Sequence, residues 1–415
     1  MTHKTRRSIF YTFLGIFIIV VPIIILYASG LTLDFQKQLV VSTGGIYLKS
    51  SPSGANIYID GNLKGKTSKF IKRLVPKIYE IKVTKEDYHS WEKEFTVQPH
   101  LVTKADNIVL LPQNPKISLT TENAIKEFSL LSNKKELFYS ASSSFYLFDI
   151  VEGKETEILN LDLKTPKFIW SPDNQNVIII SDKQYLMINV SDPKTIIDLL
   201  GIIKLKSKSV VSDINNLNFD SSGNKLYFLS HNNLYLLTLN KNSESFVLSD
   251  ILVPNVINYT IYKNGIIYLE KTKNIINELD VTSLRSARMF DRVYPGFNTG
   301  EWLLSDDNKK LLCKKDKSVE ILWLEDVSSN STLQQKGDID KIDFGQQIND
   351  VIWYPKTDEH LIVSTDTSIL FAELDNRPPR NIINFITAEK PKIIYNSSNK
   401  ILYFLSQNKL YQTEL

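Results

Sequence analysis

The stretch from Leu226 to Tyr235 reads LYFLSHNNLY, and that from Leu402 to Tyr411 reads LYFLSQNKLY, so eight of ten positions recur after 176 residues. Weaker copies of the unit are ELFYSASSSFYLFDI from Glu136, VIIISDKQYLMINV from Val177, IIYLEKTKNIINEL from Ile266, LLCKKDKSVEILWL from Leu311 and LIVSTDTSILFAEL from Leu361. Successive starts lie 41, 49, 40, 45, 50 and 41 residues apart. Short β-rich runs at a period of about 44 are the signature of a β-propeller, one four-stranded blade per period. Seven copies imply seven blades. The fold alone names no activity, because propellers carry many unrelated ones.

The 415 residues suffice for two or three domains, and 42% hydrophobic with 23% charged residues is the balance of a globular chain. A net charge of +3, with Lys and Arg scattered among nearly as many Asp and Glu, shows no basic block for gripping nucleic acid. Cys313 is the only cysteine, which excludes an intramolecular disulfide and a cysteine-based metal cage. Abundant Ile, Lys and Asn fit a bacterial AT-rich genome.

Ile9 to Ala28 carries no charge over twenty residues. At about 1.5 Å per residue such a helix just crosses a ~30 Å hydrocarbon core. Its apolar surface includes Ile9, Phe10, Phe13, Leu14, Ile18, Val21, Ile25 and Ala28, with Pro22 as a kink point. Lys4, Arg6 and Arg7 precede the run and Asp34 is the first charge after it, which places the N-terminus in the cytoplasm and the bulk outside. The competing expectation is a cleaved signal peptide, since Ala28-Ser29-Gly30 offers small residues to a peptidase. The run exceeds the usual signal core, so an uncleaved anchor is expected. Thr5-Arg6-Arg7-Ser8 resembles a twin-arginine signal but serves equally as a topology determinant.

From Gly45 to about Pro112 short alternating strands follow, densest in SPSGANIYIDGNLKGKTS, Ser51 to Ser68. Pro52-Ser53-Gly54 suits a turn, Ala55, Ile57 and Ile59 share one strand face, and Asp60-Gly61 is a hairpin signal. Ile78 to Val83, Trp91 to Val97 and Ile108 to Leu110 read as further strands. Pro52, Gly54, Ala55, Asp60, Gly61, Gly65 and Thr67, with Tyr88 downstream, resemble the PEGA domain, a small β-sandwich-like module of bacterial envelope proteins. Ser68, where the family usually has proline, and Lys77 and Asp87, at positions often held by glycine, depart from its pattern. The resemblance implies a spacer or adhesion role and carries no catalytic residues. Gly61 to Thr67 also looks like a phosphate-binding loop, but it has three residues between its glycines where four are needed, and strand-like Phe70 and Ile71 follow instead of a helix. A hairpin turn is the better reading.

A proline-bearing linker, Pro112 to Pro115, leads into the repeats. Phe168-Ile169-Trp170, the turn Ser171-Pro172-Asp173-Asn174, Val177 to Ile180, Tyr185 to Val190 and Thr195 to Leu199 read as one blade. WSPDN before an apolar strand resembles the repeats of TolB-like and WD40-like propellers, and the missing His and Trp-Asp signatures favour the former. The last repeat stops after its third strand, Lys409 to Glu414, and an open edge would leave backbone groups unpaired. A strand around Lys116 to Leu119 is expected to supply the fourth.

No catalytic, cofactor-binding or metal-binding residues are assigned. His3, His89, His100, His231 and His360 are widely separated and none has a partner at metal-ligand spacing. There is no GxSxG elbow or calcium loop. Cys313 lies in an alternating strand as a packed thiol, Asp306-Asp307 lies at a turn as solvated carboxylates, and Tyr235 and Tyr411 read as structural repeats of each other.

The expected chain is mainly β: residues 1–8 a cytoplasmic stub, 9–28 a transmembrane helix, 45–112 a PEGA-like module, and 113–415 a seven-bladed propeller. Eight residues inside form no signalling domain. The expected function is non-enzymatic recognition or scaffolding in a bacterial cell envelope, single-pass in the cell membrane, without a cofactor. The propeller face would bind an envelope protein or a cell-wall polymer and no nucleic acid. The alternatives are a propeller hydrolase or lyase acting on envelope carbohydrate or peptide, and a passive cell-wall polymer binder.

Overall fold

The computed structural model describes residues 3–34, 39–207, 211, 213–240, 245–329, 332–355 and 357–415. Residues 1 and 2 of the expected stub, and the side chain of His3, lie outside the described set. The chain divides into two compact units, 1–114 with 328–333 and 373–383, and 115–327 with 334–372 and 384–415.

The first unit opens with helix α1 (His3–Ala28), whose apolar run is broken by no charge until after its end. Leu31–Asp34 and Leu39–Ser42 then pair as a short antiparallel hairpin. Thr43 closes this excursion by donating its N–H and its Oγ1 to the Gly30 carbonyl, at 2.9 and 2.7 Å. Two sheets follow. One has Gly44–Ser51 between Lys69–Leu74 and Val102–Val109; the other runs Asn62–Lys66, Asn56–Ile59, Ile78–Thr84, Trp91–Thr96. Strict alternation of buried and exposed residues in Ile78–Thr84 and Trp91–Thr96 marks strands with one wet face. Their inward residues Ile81, Val83, Trp91 and Phe95 share one core with Ile46, Leu48, Ala105 and Ile108 of the other sheet, which makes the unit a two-layer sandwich.

One strand is longer than its sequence indicates. Only Ile108 to Leu110 reads as strand, yet Val102–Val109 is extended and pairs in parallel with Gly44–Ser51, from Gly45↔Val102 to Ser51↔Val109. Thr103 and Ala105 point inward while Lys104 and Asp106 point to solvent, so polar residues hide a half-buried strand. Gly44 is required by close approach, since a methyl there would strike the Gln98 carbonyl.

In the second unit each of the seven repeats forms the second strand of a sheet: Glu136–Ala141, Asn176–Ser181, Lys225–Ser230, Gly265–Glu270, Lys310–Lys314, His360–Thr365 and Ile401–Ser406. Seven four-stranded antiparallel sheets are present among the described residues. The repeat is apolar at consecutive positions because these strands are packed on both faces. Leu226 and Phe228 pack with Ile178 of the second sheet, while Tyr227 and Leu229 pack with Ile266 of the fourth. The same alternation joins the first and second sheets through Phe138 and Val177, the fourth and fifth through Ile267 and Leu311, and the seventh and first through Tyr403 and Tyr139. Each fully buried Leu or Phe is worth about 1.5–3 kcal/mol.

The repeated Ser-His-Asn-Asn and Ser-Gln-Asn-Lys have a local cause. His231-Asn232 and Gln407-Asn408 both have positive φ at both residues, as do Asp182-Lys183, and each dipeptide is a two-residue hairpin turn between paired strands. Left-handed backbone at both turn positions matches the right-handed strand twist, and Asn tolerates it well.

The expected fourth strand of the second sheet ends earlier than Leu199. Asp192–Asp198 is the strand, and Leu199–Lys206 is helix α2, with Leu199 and Ile203 buried one turn apart among Leu217 and Phe219. The seventh sheet takes its outer strand from the start of the unit, with Ser118↔Gln412 and Leu119↔Tyr411 in register and Thr120 N–H on the Leu410 carbonyl at 2.8 Å. Replacing both Ser118 and Thr120 with proline removes the N–H groups that face Gln412 and Leu410, and a lowered melting temperature is expected by calorimetry. An unchanged melt would show that this pairing contributes nothing to stability.

Candidate recognition surfaces

The sequence-predicted anchor residues all lie on α1. Ile9, Phe10, Phe13, Leu14, Ile18, Pro22, Ile25 and Ala28 are exposed and Val21 is half-buried, so the 22-residue window Lys4–Ile25 has no protein packed on it. The predicted turn residues of the sandwich converge elsewhere. Thr67 is their hub: its Oγ1 meets Ser50 Oγ at 2.7 Å and accepts Ala55 N–H at 3.0 Å, while its backbone pairs with Gly54 and Ala55. Asp60 and Gly61, both with positive φ, turn the hairpin between Asn56–Ile59 and Asn62–Lys66. The Lys77 ammonium, 2.6 Å from Asp60, holds its carboxyl below the usual carboxylate range. Pro52 and Gly65 complete this turn-rich end, and Gly61 lies at the rim of a cleft of about 680 Å³ with Glu80, Lys82, Glu92, Lys93 and Glu94.

A buried ion site in the first unit was not legible in the sequence. Lys93, whose side chain is 0% exposed, is paired with Glu373, 6% exposed, and donates to the carbonyls of Asp375, Arg377 and Pro379 at 3.0, 2.8 and 3.0 Å. Trp91 Nε1 takes the other Glu373 oxygen at 2.8 Å. Arg377 lies 4.2 Å over the Phe95 ring and pairs with Asp375. Burial pulls the Lys93 pKa down against the opposing Glu373 and Asp375 charges. Glu94 N–H on the Pro378 carbonyl at 2.7 Å caps the edge of Trp91–Thr96, so Glu373–Ile383 completes the sandwich as an edge cover.

In the second unit polar residues on the first and second strands are spent on neighbouring sheets or on the adjacent strand. Asn216 donates to Asn258 at 2.8 Å, Asn258 to Gly300 at 3.0 Å, and Lys314 to Asn349 at 3.1 Å; Lys392 pairs with Glu127, and Lys314 also pairs with Glu301 at 2.8 Å. Burial, helped by Glu301, raises the Asp350 pKa despite Lys314 and Lys392. No group of three His, Cys, Asp or Glu suited to a metal occurs among the described residues.

Asp306 and Asp307 lie exposed at a turn, as the sequence indicates, and Asp307 is in addition held by several partners. It accepts Ser305 Oγ at 2.6 Å and Lys309 N–H at 3.0 Å, and its own N–H donates to Asp358 at 3.0 Å. Asp358 is 6% exposed, and burial followed by the Asp307 charge raises its pKa. Cys313 is fully buried, with Sγ 3.1 Å from the Thr299 carbonyl, and burial pushes its thiol up to about 12. Tyr235 and Tyr411 stack on Phe228 and Phe404 at 5.4 and 5.2 Å, the same cross-strand pair in two sheets.

That second stack floors a cleft of about 510 Å³, walled by the Asp366-Thr367 turn, Thr387-Ala388-Glu389, Ser406-Gln407 and Ile117. Gln407 orients the Glu389 carboxylate at 2.8 Å and Asn349 orients that of Asp366 at 3.2 Å. No cation pairs with either among the described residues. Residues 113–415 carry 34 basic and 38 acidic side chains, a net −4, so the cleft is an apolar shelf with an acidic rim. The opposite imbalance sits in the first unit. Lys64, Lys66, Lys69, Lys72, Arg73 and Lys77 fall in fourteen residues without one carboxylate, a local run that the whole-chain charge conceals.

The PEGA domain family matches residues 43–110. No curated protein matches the chain. Among solved structures the chain is similar to the β-propeller domain of Myceliophteria thermophila Cps50 (Swd1), at 11% identity and TM-score 0.50, over 73% of this chain and 100% of that one. It is also similar to Kuenenia stuttgartiensis hydrazine synthase, at 11% identity and TM-score 0.47, over 71% and 97% of the two chains. A chain of a mitotic checkpoint complex matches at 10% identity and TM-score 0.47, over 74% and 93%. The protein is thus a mainly β chain with an apolar N-terminal helix, a PEGA-matching segment and a β-propeller fold.

Lys93→Ala strands Glu373 as a buried unpaired charge and is expected to cost about 3–5 kcal/mol. Faster hydrogen exchange in Trp91–Thr96 and at Asn381 is the check, and unchanged protection would refute the assignment. The raised pKa of Asp358 means its protonated form stabilises the fold. That stability is present below its unfolded value of about 3.9 and is lost as pH rises through the folded value. Asp358→Asn is therefore expected to melt higher than the parent at pH 7, with the gap closing near pH 4.

Proposed function

We propose that this chain is a single-pass membrane protein of a bacterial cell envelope that presents a recognition propeller outside the membrane. In this reading residues 1–8 are cytoplasmic, 9–28 span the bilayer, 45–112 form the PEGA spacer, and 113–415 form a closed seven-bladed, TolB-like ring. The carrying observation is α1: its apolar surface is exposed along the whole 22-residue window, as a helix solvated by lipid would be. Lys4, Arg6 and Arg7 before α1, against Lys37 as the first basic residue after it, support an inward N-terminus.

The Phe404–Tyr411 cleft supports recognition of a protein partner over catalysis. An aromatic shelf beside two carboxylates that have no counter-ion among the described residues suits an apolar anchor flanked by Lys or Arg on the partner. The PEGA match is consistent with spacing that surface from the bilayer.

Alkaline carbonate is expected to leave the full-length protein in the membrane pellet, and protease added to intact spheroplasts is expected to digest everything beyond α1. Extraction by carbonate, or protection from protease, would overturn the topology. A photo-crosslinking residue at Gln407 is expected to capture a defined envelope protein, with capture lost in an Asp366→Lys, Glu389→Lys variant. Equal capture from the outer strand position Lys154 would remove the cleft from consideration.

A further inference from the structure

We propose that the cationic ridge of the first unit, Lys64 to Lys72, binds the anionic headgroups of the lipid bilayer next to α1. The proposal rests on the reading of α1 as a membrane helix. The ridge is built by two neighbouring strands, Asn62–Lys66 and Lys69–Leu74, joined by the short turn after Thr67. They belong to different sheets, yet Lys69 Nζ crosses between them to donate to the Lys64 carbonyl at 2.5 Å, which gathers the two lysines at one place.

Lys64, Lys66, Lys69 and Lys72 are exposed, and no carboxylate pairs with any of them among the described residues. Asp60, the acid that feels the Lys64 charge, is already taken by Lys77. The apolar side chains among the lysines identify the occupant. Leu63 is 60% exposed and Phe70 41% exposed, with the Lys72 ammonium 5.5 Å from the Phe70 ring. Leu63 lies beside Lys64 on one edge strand and Phe70 beside Lys69 on the other, and such pairs of cation and exposed apolar side chain match phosphate headgroups over acyl chains, whereas a soluble polyanion would leave the apolar residues in water.

The chain geometry brings the two partners together. Although thirteen residues separate Gly30 from Thr43 in sequence, the Thr43 N–H and hydroxyl both bond the Gly30 carbonyl, so the sandwich begins beside the end of α1. Lys72 lies opposite Gly45, two residues beyond Thr43, so that end of the ridge adjoins the linker that leaves the helix.

The test uses the full-length protein with Leu63→Cys, labelled with an environment-sensitive fluorophore. Cys313 is buried with a raised pKa and stays unlabelled. The protein is reconstituted into phosphatidylcholine vesicles with and without phosphatidylglycerol. A blue shift and quenching by a lipid-borne quencher are expected only with phosphatidylglycerol, and both are expected to vanish at about 1 M salt, where the Debye length is about 3 Å. Each lysine reversed to glutamate among Lys64, Lys66, Lys69 and Lys72 is expected to weaken the response roughly fivefold. A label that stays water-exposed in both vesicles overturns the proposal. So does an equal response to soluble polyphosphate with phosphatidylcholine alone, which would assign the ridge to a free polymer. Carbonate extraction of the same samples reads the anchor separately. Extractable protein whose label still responds to phosphatidylglycerol would refute the anchor and uphold the ridge.

Discussion

Burial of the same strand on both of its faces is the constraint on which the second unit depends. In Lys225–Ser230 every residue after Lys225 is buried, and successive side chains serve opposite neighbours. A sheet of this kind has no wet face, so it cannot stand alone and needs a packed neighbour on each side. The seventh sheet meets that need by packing Tyr403 and Leu405 against Leu137 and Tyr139 of the first, and it completes its own outer edge with Ser118–Leu119. First and last segments of the unit are thereby held in one sheet.

The first unit is organised differently. Its strands are amphipathic, its core is a single layer between two sheets, and its irregular ends rely on polar staples. Thr67 satisfies several backbone groups of the turn-rich end, and Lys93 satisfies the carbonyls of a segment that follows it by some 280 residues. A buried ammonium with a carboxylate and three carbonyl acceptors is fully coordinated, and so it is tolerated where an unpaired charge would not be. Candidate functional surface is left where these demands are already met: the exposed apolar side of α1, the acidic cleft over Phe404 and Tyr411, and the lysine ridge.

Much of this was readable in the residues. The Leu226 and Leu402 copies report both a strand buried on two faces and a two-residue turn of left-handed backbone, because each requirement falls on a fixed position of a local repeat. The turn before Ala55, the Asp60-Gly61 hairpin and the missing edge strand near Leu119 are local or topological necessities of the same kind. Val102–Val109 and α2 were not readable in full. The first is a polar strand stabilised by a parallel partner more than fifty residues earlier, and the second is a short helix stabilised by packing on other strands. Asp307 is exposed at a turn as expected, but its partners Ser305, Lys309 and Asp358 are set by the turn and by the next sheet and were not readable.

By itself the sequence determined the order of the chain's parts: a twenty-residue uncharged run, a turn-rich β module, and repeats with a period of about 44. Those are properties of spacing and hydrophobicity, which act between near neighbours. Only the tertiary structure decided which charges remain available. It paired Lys93, Lys314 and Lys392 with carboxylates elsewhere in the sequence, and among the described residues it left Lys64, Lys69, Asp366 and Glu389 without counter-ions. Pairing of charges is a matter of distances in space, and no spacing rule along the chain contains it.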